Sequence, residues 1–152
     1  MNGYTSDQVY NGTYGEVWVN GNYLAETKSF RAEVNCNYEA VPQARDLMDG
    51  QKLTGLEGQG ELVLHKVSSY VMNLLSKSLK AGKVPDITII GKIDDPSAIG
   101  QERIALYHCK FAKMILADWE RKKIGEESYS FTFEKWDILD STKYAGIYHE
   151  YC

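Results

Sequence analysis

The stretch LEGQGELVLHKVSSYVMNLLSKSLKAGK, residues 56–83, constrains the fold more than any other, because an apolar alternation switches there to a helical period. Gly60, Leu62 and Leu64 share one face of an extended segment and Glu61, Val63 and His65 the other, a period of two. After Val67 the spacing changes. Val71, Leu74, Leu75 and Leu79 recur at i, i+3, i+4 and i+8, an apolar stripe opposed by Asn73, Ser76, Lys77 and Lys80. Ser68 is the natural N-cap, Val67 and Met72 stand where a hydrophobic staple would form, and Gly82 with Lys77, Lys80 and Lys83 suits a C-terminus. The spacing predicts a helix over roughly Ser68–Lys80. Burying its four apolar side chains stabilises by about 1.5 to 3 kcal/mol each, far more than helix propensity supplies. Such a helix must lie on something, and the rest of the chain reads as sheet.

A chain of 152 residues is one domain in size and buries about 68 to 70% of its unfolded surface, so it can build a core without covalent staples. The formal net charge of −4 argues neither for disorder nor for a surface that seeks nucleic acid phosphates. Cys36, Cys109 and Cys152 are widely spaced, odd in number and form no CxxC pair, which reads as reduced thiols. The start MNGYTSDQVYNGTYG has no basic n-region or apolar h-region, and no apolar run reaches the length of a membrane span; a protein made and used without the secretory route is expected. The 11 tyrosines are in excess, and Tyr is favoured both at interfaces and on sheet surfaces.

Along the chain, residues 1–13 lack periodicity and are expected to form a flexible arm of the kind that docks on a neighbour. GEVWVNGNYLAE reads as a hairpin around Asn20-Gly21, the dipeptide favoured by type I′ turns. From Ser29 to Glu39, Phe30, Ala32, Val34, Cys36 and Tyr38 face one way, and Arg31, Glu33, Asn35, Asn37 and Glu39 the other, so one side is core and one wet. Pro42 breaks this order, and residues 40–57 are expected as a long loop with Asp49-Gly50 as a turn. Its Leu47, Met48 and Leu53 either pack on another chain or fold back as a local cluster. DITIIGKI, Arg103 to Phe111 and Ser128 to Glu134 read as further strands, the last carrying Phe131 and Phe133, and Lys113 to Glu120 continues from Phe111 as another strand or as the same one past a bulge. Residues 140–152 are a weakly patterned tail. The expectation is a single mainly β domain: a sandwich or barrel of about seven or eight antiparallel strands with one flanking helix. Its core is built on Leu62, Leu64, Val71, Leu74, Leu75, Leu79, Phe131 and Phe133.

Chemistry finds little foothold. His65, His108 and His149 lie in separate segments with no HExxH or CxxC partner, so no metal is expected. Cys109 alternates with Tyr107 and Phe111 and reads as a small buried hydrophobe, not a nucleophile. Gly55, Gly58 and Gly60 enter a strand instead of linking a strand to a helix, which fails the phosphate-loop context and points to close backbone approach. Asp94 and Asp95 beside Pro96 form a turn first. No catalytic residue, cofactor or enzyme activity is expected.

Four segments in order and spacing carry a resemblance: YGEVWVNG from Tyr14, GQGELVLHKVSS at Gly58–Ser69, DPSAIGQERIAL at Asp95–Leu106 and LADWERKKIGEESYSFTF at Leu116–Phe133. Together, over roughly Tyr14 to Leu139, they resemble the tail tube proteins of contractile phage tails, defective prophages and R-type bacteriocins, and are similar to the tube protein of type VI secretion. The resemblance implies hexameric rings stacked into a hollow tube, the conduit for DNA or ions through the cell envelope. It also implies tail sheath, baseplate and terminator proteins as partners, no membrane span, and a place in the virion tail assembled in a bacterial cytoplasm. Inter-subunit bridges are then expected from the loops holding Val41, Arg45, Leu47, Met48, Leu53, Asp94, Asp95 and Ile99. The lumen would be lined by Arg31, Glu33, Asn35, Asn37, Glu39, Glu57, Gln59 and Glu61, a weakly acidic wall past which DNA slides without specific binding. The rival readings are a monomeric β-barrel holding a small ligand in an apolar pocket and a small hydrolase with convergent titrating groups.

Overall fold

A computed structural model of the chain describes residues 3–142. Strand β1 (Gly15–Val19) and the short β2 (Asn22–Tyr23) form the expected hairpin, with Asn20 at φ 49° and Gly21 at φ 82°. Both central residues are left-handed, as a type I′ turn requires. Two long strands follow, β3 (Thr27–Val41) and β4 (Gly50–His65), then helix α1 (Tyr70–Lys80). The remaining strands are β5 (Ile87–Ile93), β6 (Glu102–Phe111), β7 (Glu126–Phe133) and β8 (Lys135–Asp140). The eight strands join antiparallel in one sheet of order β2-β1-β5-β6-β7-β4-β3, with β8 pairing on β6. A mainly β architecture of eight strands with one helix is what the periodicities predict.

The sheet closes on itself because β6 bends. His108 sits at φ 55°, and the register steps from Ile89 opposite Leu106 to Ile87 opposite Cys109. This extra residue on β6 is a bulge. Before it, Arg103 to Tyr107 pair with β8; after it, Lys110 and Phe111 pair with β7. One layer is therefore β3, β4 and β7, and the other β1, β2, β5 and β8. The bulge also sends both Leu106 and Cys109 into the core, two side chains that strict alternation would put on opposite faces.

Between the layers lie Val17, Val19, Leu62, Leu64, Ile87, Ile89, Tyr129, Phe131 and Phe133, closed by Val71 and Leu75 of α1. Phe30 of β3 stacks on Phe131, ring centroids 6.1 Å apart. Gly60 leaves room for this packing: a Cβ there would stand 2.3 Å from the Arg31 carbonyl and 2.5 Å from Phe131 Cζ. The close approach expected of a strand glycine is thus present.

The helix covers the core with a shorter face than its stripe suggests. Val71 and Leu75 are buried and Leu74 packs beside them, but Leu79, on the last turn, stands outside the core cluster and is 43% exposed. The N-cap is Ser69 and not Ser68, and Val67 is left exposed, so no staple forms. At the C-terminus Gly82, φ 75°, donates to Leu79 O and Lys83 to Ser78 O, a Schellman motif that satisfies the final carbonyls.

Three expectations are corrected. Residues 40–57 are not a long loop: β3 runs to Val41 and β4 begins at Gly50, so the loop is residues 42–49 and Leu53 lies within a strand. Polar residues on both faces of this ribbon hide its strand period. Lys113 to Glu120 is irregular, part of a connection from Ala112 to Gly125. Lys135–Asp140, read partly as tail, is β8, paired by backbone bonds to β6 that its mixed side chains do not announce. Within residues 3–14, 3-10 turns form at Ser6–Gln8 and Gly12–Tyr14, and Asn11 N donates to Asp95 Oδ2 at 2.9 Å. The tail from 143, with His149 and Cys152, lies outside the described residues.

Candidate assembly surfaces

Three surfaces stand out once the strands are placed. The first is the outer face of β3, β4 and β7, formed because Gly60, Leu62 and Leu64 turn inward and leave their neighbours outward. Register sets Arg31 against Glu61, Glu33 against Gln59 and Asn35 against Glu57, and continues into Ser130 and Thr132 of β7. Gln59 Nε2 donates to Glu33 Oε1 at 3.1 Å, and Ser128 Oγ donates to Glu61 Oε1 at 2.7 Å. One arginine against Glu33, Glu57 and Glu61 gives this patch a formal charge of 1 − 3 = −2. Of the residues expected to share the wet face, Arg31, Glu33, Asn35, Glu57, Gln59 and Glu61 are brought together here.

The second surface is the distal part of the β3–β4 pair. β4 pairs with β7 only from Gly58 onward, so residues 50–57 are bonded to β3 alone. Eight residues at about 3.4 Å each extend this two-stranded ribbon roughly 27 Å beyond the sheet. It carries Asn37 and Glu39 along one side and Cys36, Tyr38, Val41, Leu53 and Leu56 as exposed side chains. The alternation read from Ser29 to Glu39 is therefore real. Its apolar side is core only as far as Val34, because no second layer faces the ribbon beyond that point. At the tip, Leu47 is fully exposed and Met48 is 79% exposed, beside Arg45 at φ 60° and Asp46, whose Oδ1 accepts from Met48 N.

The loops at 94–101 and 112–125 form the third. Asp94 and Ile99 are exposed, but Asp95 is 6% exposed and accepts from Asn11 N and Ser97 N. Asp95 thus ties its own chain together, joining the N-terminal segment to the 94–101 loop. Sequence reading missed the connection 112–125, where Met114 and Ile115 pack on the core while Leu116, Trp119 and Ile124 are exposed. Three large apolar residues among Lys113, Arg121, Lys122 and Lys123 were the available signal; assigning the segment to a strand concealed it.

Titrating groups serve the fold. Burial pushes the Cys109 thiol up to about 12. Burial and the Glu127 carboxylate raise the Tyr129 hydroxyl, which donates to Glu127 Oε2 at 2.5 Å, and Lys66 pairs with the same carboxylate at 2.9 Å. Among the described residues no three His, Cys, Asp or Glu side chains gather as a metal site, and no helix is long and apolar enough to cross a membrane. A cleft of about 470 Å³ opens at the seam between β1 and β3, lined by Val17, Lys28, Phe30 and Ile104; the space between the layers is filled by side chains.

The fold is similar to that of chains solved in contractile injection systems. The tube terminating cap of the anti-feeding prophage superposes with a TM-score of 0.71 at 7% identity, covering 92% of this chain and 97% of the other. A chain of the extended sheath-tube complex of the extracellular contractile injection system PVC gives 0.67 at 6% identity, covering 91% and 100%.

Residues 2–140 match the family model described as phage tail tube protein, and the chain belongs to that family. The phage-like element PBSX protein XkdM of Bacillus subtilis (strain 168) is 34% identical over 136 residues, 88% of this chain and 92% of that one. The uncharacterized protein YqbM of the same strain is 32% identical over 141 residues, 91% and 95%. The family and these structural neighbours are structural components of tails.

Proposed function

We propose that this chain polymerises as stacked hexameric rings into the inner tube of a contractile phage tail or phage-tail-like particle, the conduit through which DNA or ions pass. The observation that carries the reading is the ribbon at residues 35–57. An isolated two-stranded ribbon is marginal in water, yet this one carries Tyr38, Val41, Leu53 and Leu56 exposed. Neighbouring copies that cover it remove that apolar surface from water and order it. A ring is a heterologous, closing contact, so each subunit needs two different complementary surfaces, and stacking needs two more. Exposed Val41, Arg45, Leu47, Met48 and Leu53 on the ribbon, with Asp94 and Ile99, supply such surfaces.

In this arrangement the outer face of β3 and β4 turns to the lumen. Its patch of −2, built from Arg31, Glu33, Glu57 and Glu61, offers DNA few cations, so little counterion release holds a passing strand. Sheath, baseplate and terminator proteins meet the outside and the ends of the tube, in the tail of a particle assembled in the bacterial cytoplasm. Negative-stain microscopy of concentrated protein tests the reading: rings or tubes are expected, and a dispersion of featureless monomers at every concentration and in the presence of tail partners rejects it. A solved tube with a basic lining rejects the assignment of the lumen face.

A further inference from the structure

Two exposed apolar clusters among the described residues lie towards opposite ends of β4. At one end is the tip of the ribbon, residues 42–49. At the other is the connection 112–125, whose last residue, Gly125, accepts a backbone bond from Lys66 N at the foot of β4. The 16 residues of β4 set these ends about 50 Å apart. The tip presents Leu47 and Met48 between Asp46 and Asp49, and with Arg45 its formal charge is 1 − 2 = −1. The connection presents Leu116, Trp119 and Ile124, with four cations (Lys113, Arg121, Lys122, Lys123) against Asp118 and Glu120, a formal charge of 4 − 2 = +2.

Only part of this charge is engaged within the chain. Lys123 pairs with Glu120 at 3.0 Å and Arg121 lies over the Trp119 ring at 5.9 Å. Among the described residues no carboxylate pairs with Lys113 or Lys122, and no cation pairs with Asp46 or Asp49. Each cluster is thus an apolar centre with a charged rim, and the two rims are of opposite sign.

We propose that these ends are the two halves of one contact: the tip of the β3–β4 ribbon of one copy seats on the 112–125 connection of a second copy, Leu47 and Met48 against Trp119. The occupant is a second copy of this chain because the complementary surface is present in the same molecule. A contact between unlike ends of one chain is heterologous, and where its rotation does not close into a ring it propagates as stacking. It rests on the tube reading above and names the partner of the ribbon tip. Opposite charge at the rims sets register and suppresses the reverse pairing, while the apolar centre carries the affinity.

Site-directed cross-linking tests it. Chains carrying Leu47→Cys are mixed with chains carrying Trp119→Cys, both with Cys36→Ser and Cys152→Ser, assembled and mildly oxidised. A mixed disulfide dimer is expected, about tenfold above the dimer formed by either chain alone, since a heterologous contact never brings like positions together. In parallel, Lys113→Glu with Lys122→Glu is expected to shorten tubes about tenfold, and adding Asp49→Lys in the same chain to restore them. These exposed substitutions leave melting unchanged, which separates assembly from folding. Tubes of normal length without the mixed disulfide overturn the proposed contact and leave the tube reading standing. No ring or tube from the unsubstituted chain overturns both. A mixed disulfide lost when a purified sheath component is present, with tubes intact, assigns the connection to the sheath and overturns the contact.

Discussion

Tyr129 and Glu127, two positions apart on β7, are joined inside the molecule: the Tyr129 hydroxyl donates to Glu127 Oε2 at 2.5 Å, and both residues are buried. Lys66 completes the set at 2.9 Å from Glu127 Oε1. A buried carboxylate persists here because each oxygen has a partner. Tyr129→Phe removes one and leaves that oxygen unsatisfied, and is expected to lower stability by about 1 to 3 kcal/mol in urea titration. An unchanged midpoint would mean that water replaces the hydroxyl.

Glycine at position 60 is a packing requirement. Gly60→Ala places a methyl group against the Arg31 carbonyl and the Phe131 ring, and is expected to destabilise by about 1 to 3 kcal/mol. Gly55→Ala is the control, its nearest neighbour being Asn37 Nδ2 at 3.6 Å, an ordinary contact. Equal melting temperatures for the two variants would contradict the packing described.

Along α1 the same substitution separates buried from exposed turns. Leu75→Asp buries a charge without a partner and is expected to unfold the subunit, read as loss of the cooperative transition in circular dichroism. Leu79→Asp, on the exposed last turn, is expected to cost less than about 1 kcal/mol. A Leu75→Asp protein that melts cooperatively would displace the helix from its place on the core.

Thiol reactivity follows burial. Cys36 is exposed on the ribbon and Cys109 is buried with its thiol pushed up to about 12. Alkylation at neutral pH should therefore label Cys36 and spare Cys109 until the chain unfolds. The raised folded value also has a sign: the thiol stabilises the fold fully below its ordinary value of 9.0, and that part is lost as pH rises towards 12. Stability should decline across this alkaline window by about 4 kcal/mol at most from this group, and Cys109→Ala should flatten that component of the profile.

What could be read directly from residue order was whatever depends on near neighbours. The Asn20-Gly21 turn, the alternation of β7, the inward set Gly60, Leu62 and Leu64 and the helix around Val71 and Leu75 follow from a period and a few turn residues. The pairing of Arg31, Glu33 and Asn35 on one face follows from the same period. Tertiary structure decided what covers each face. Cys36 and Tyr38 keep the alternation of Phe30 and Ala32 yet stand in solvent, because β7 stops at Phe133 and the ribbon continues alone. Leu79 keeps the stripe of Leu75 yet stands exposed outside the core. Leu106 and Cys109 break the alternation yet are both buried, because His108 turns the strand at φ 55°. A period assigns a side chain to a face; only the arrangement of distant strands determines whether that face meets protein, water or another copy.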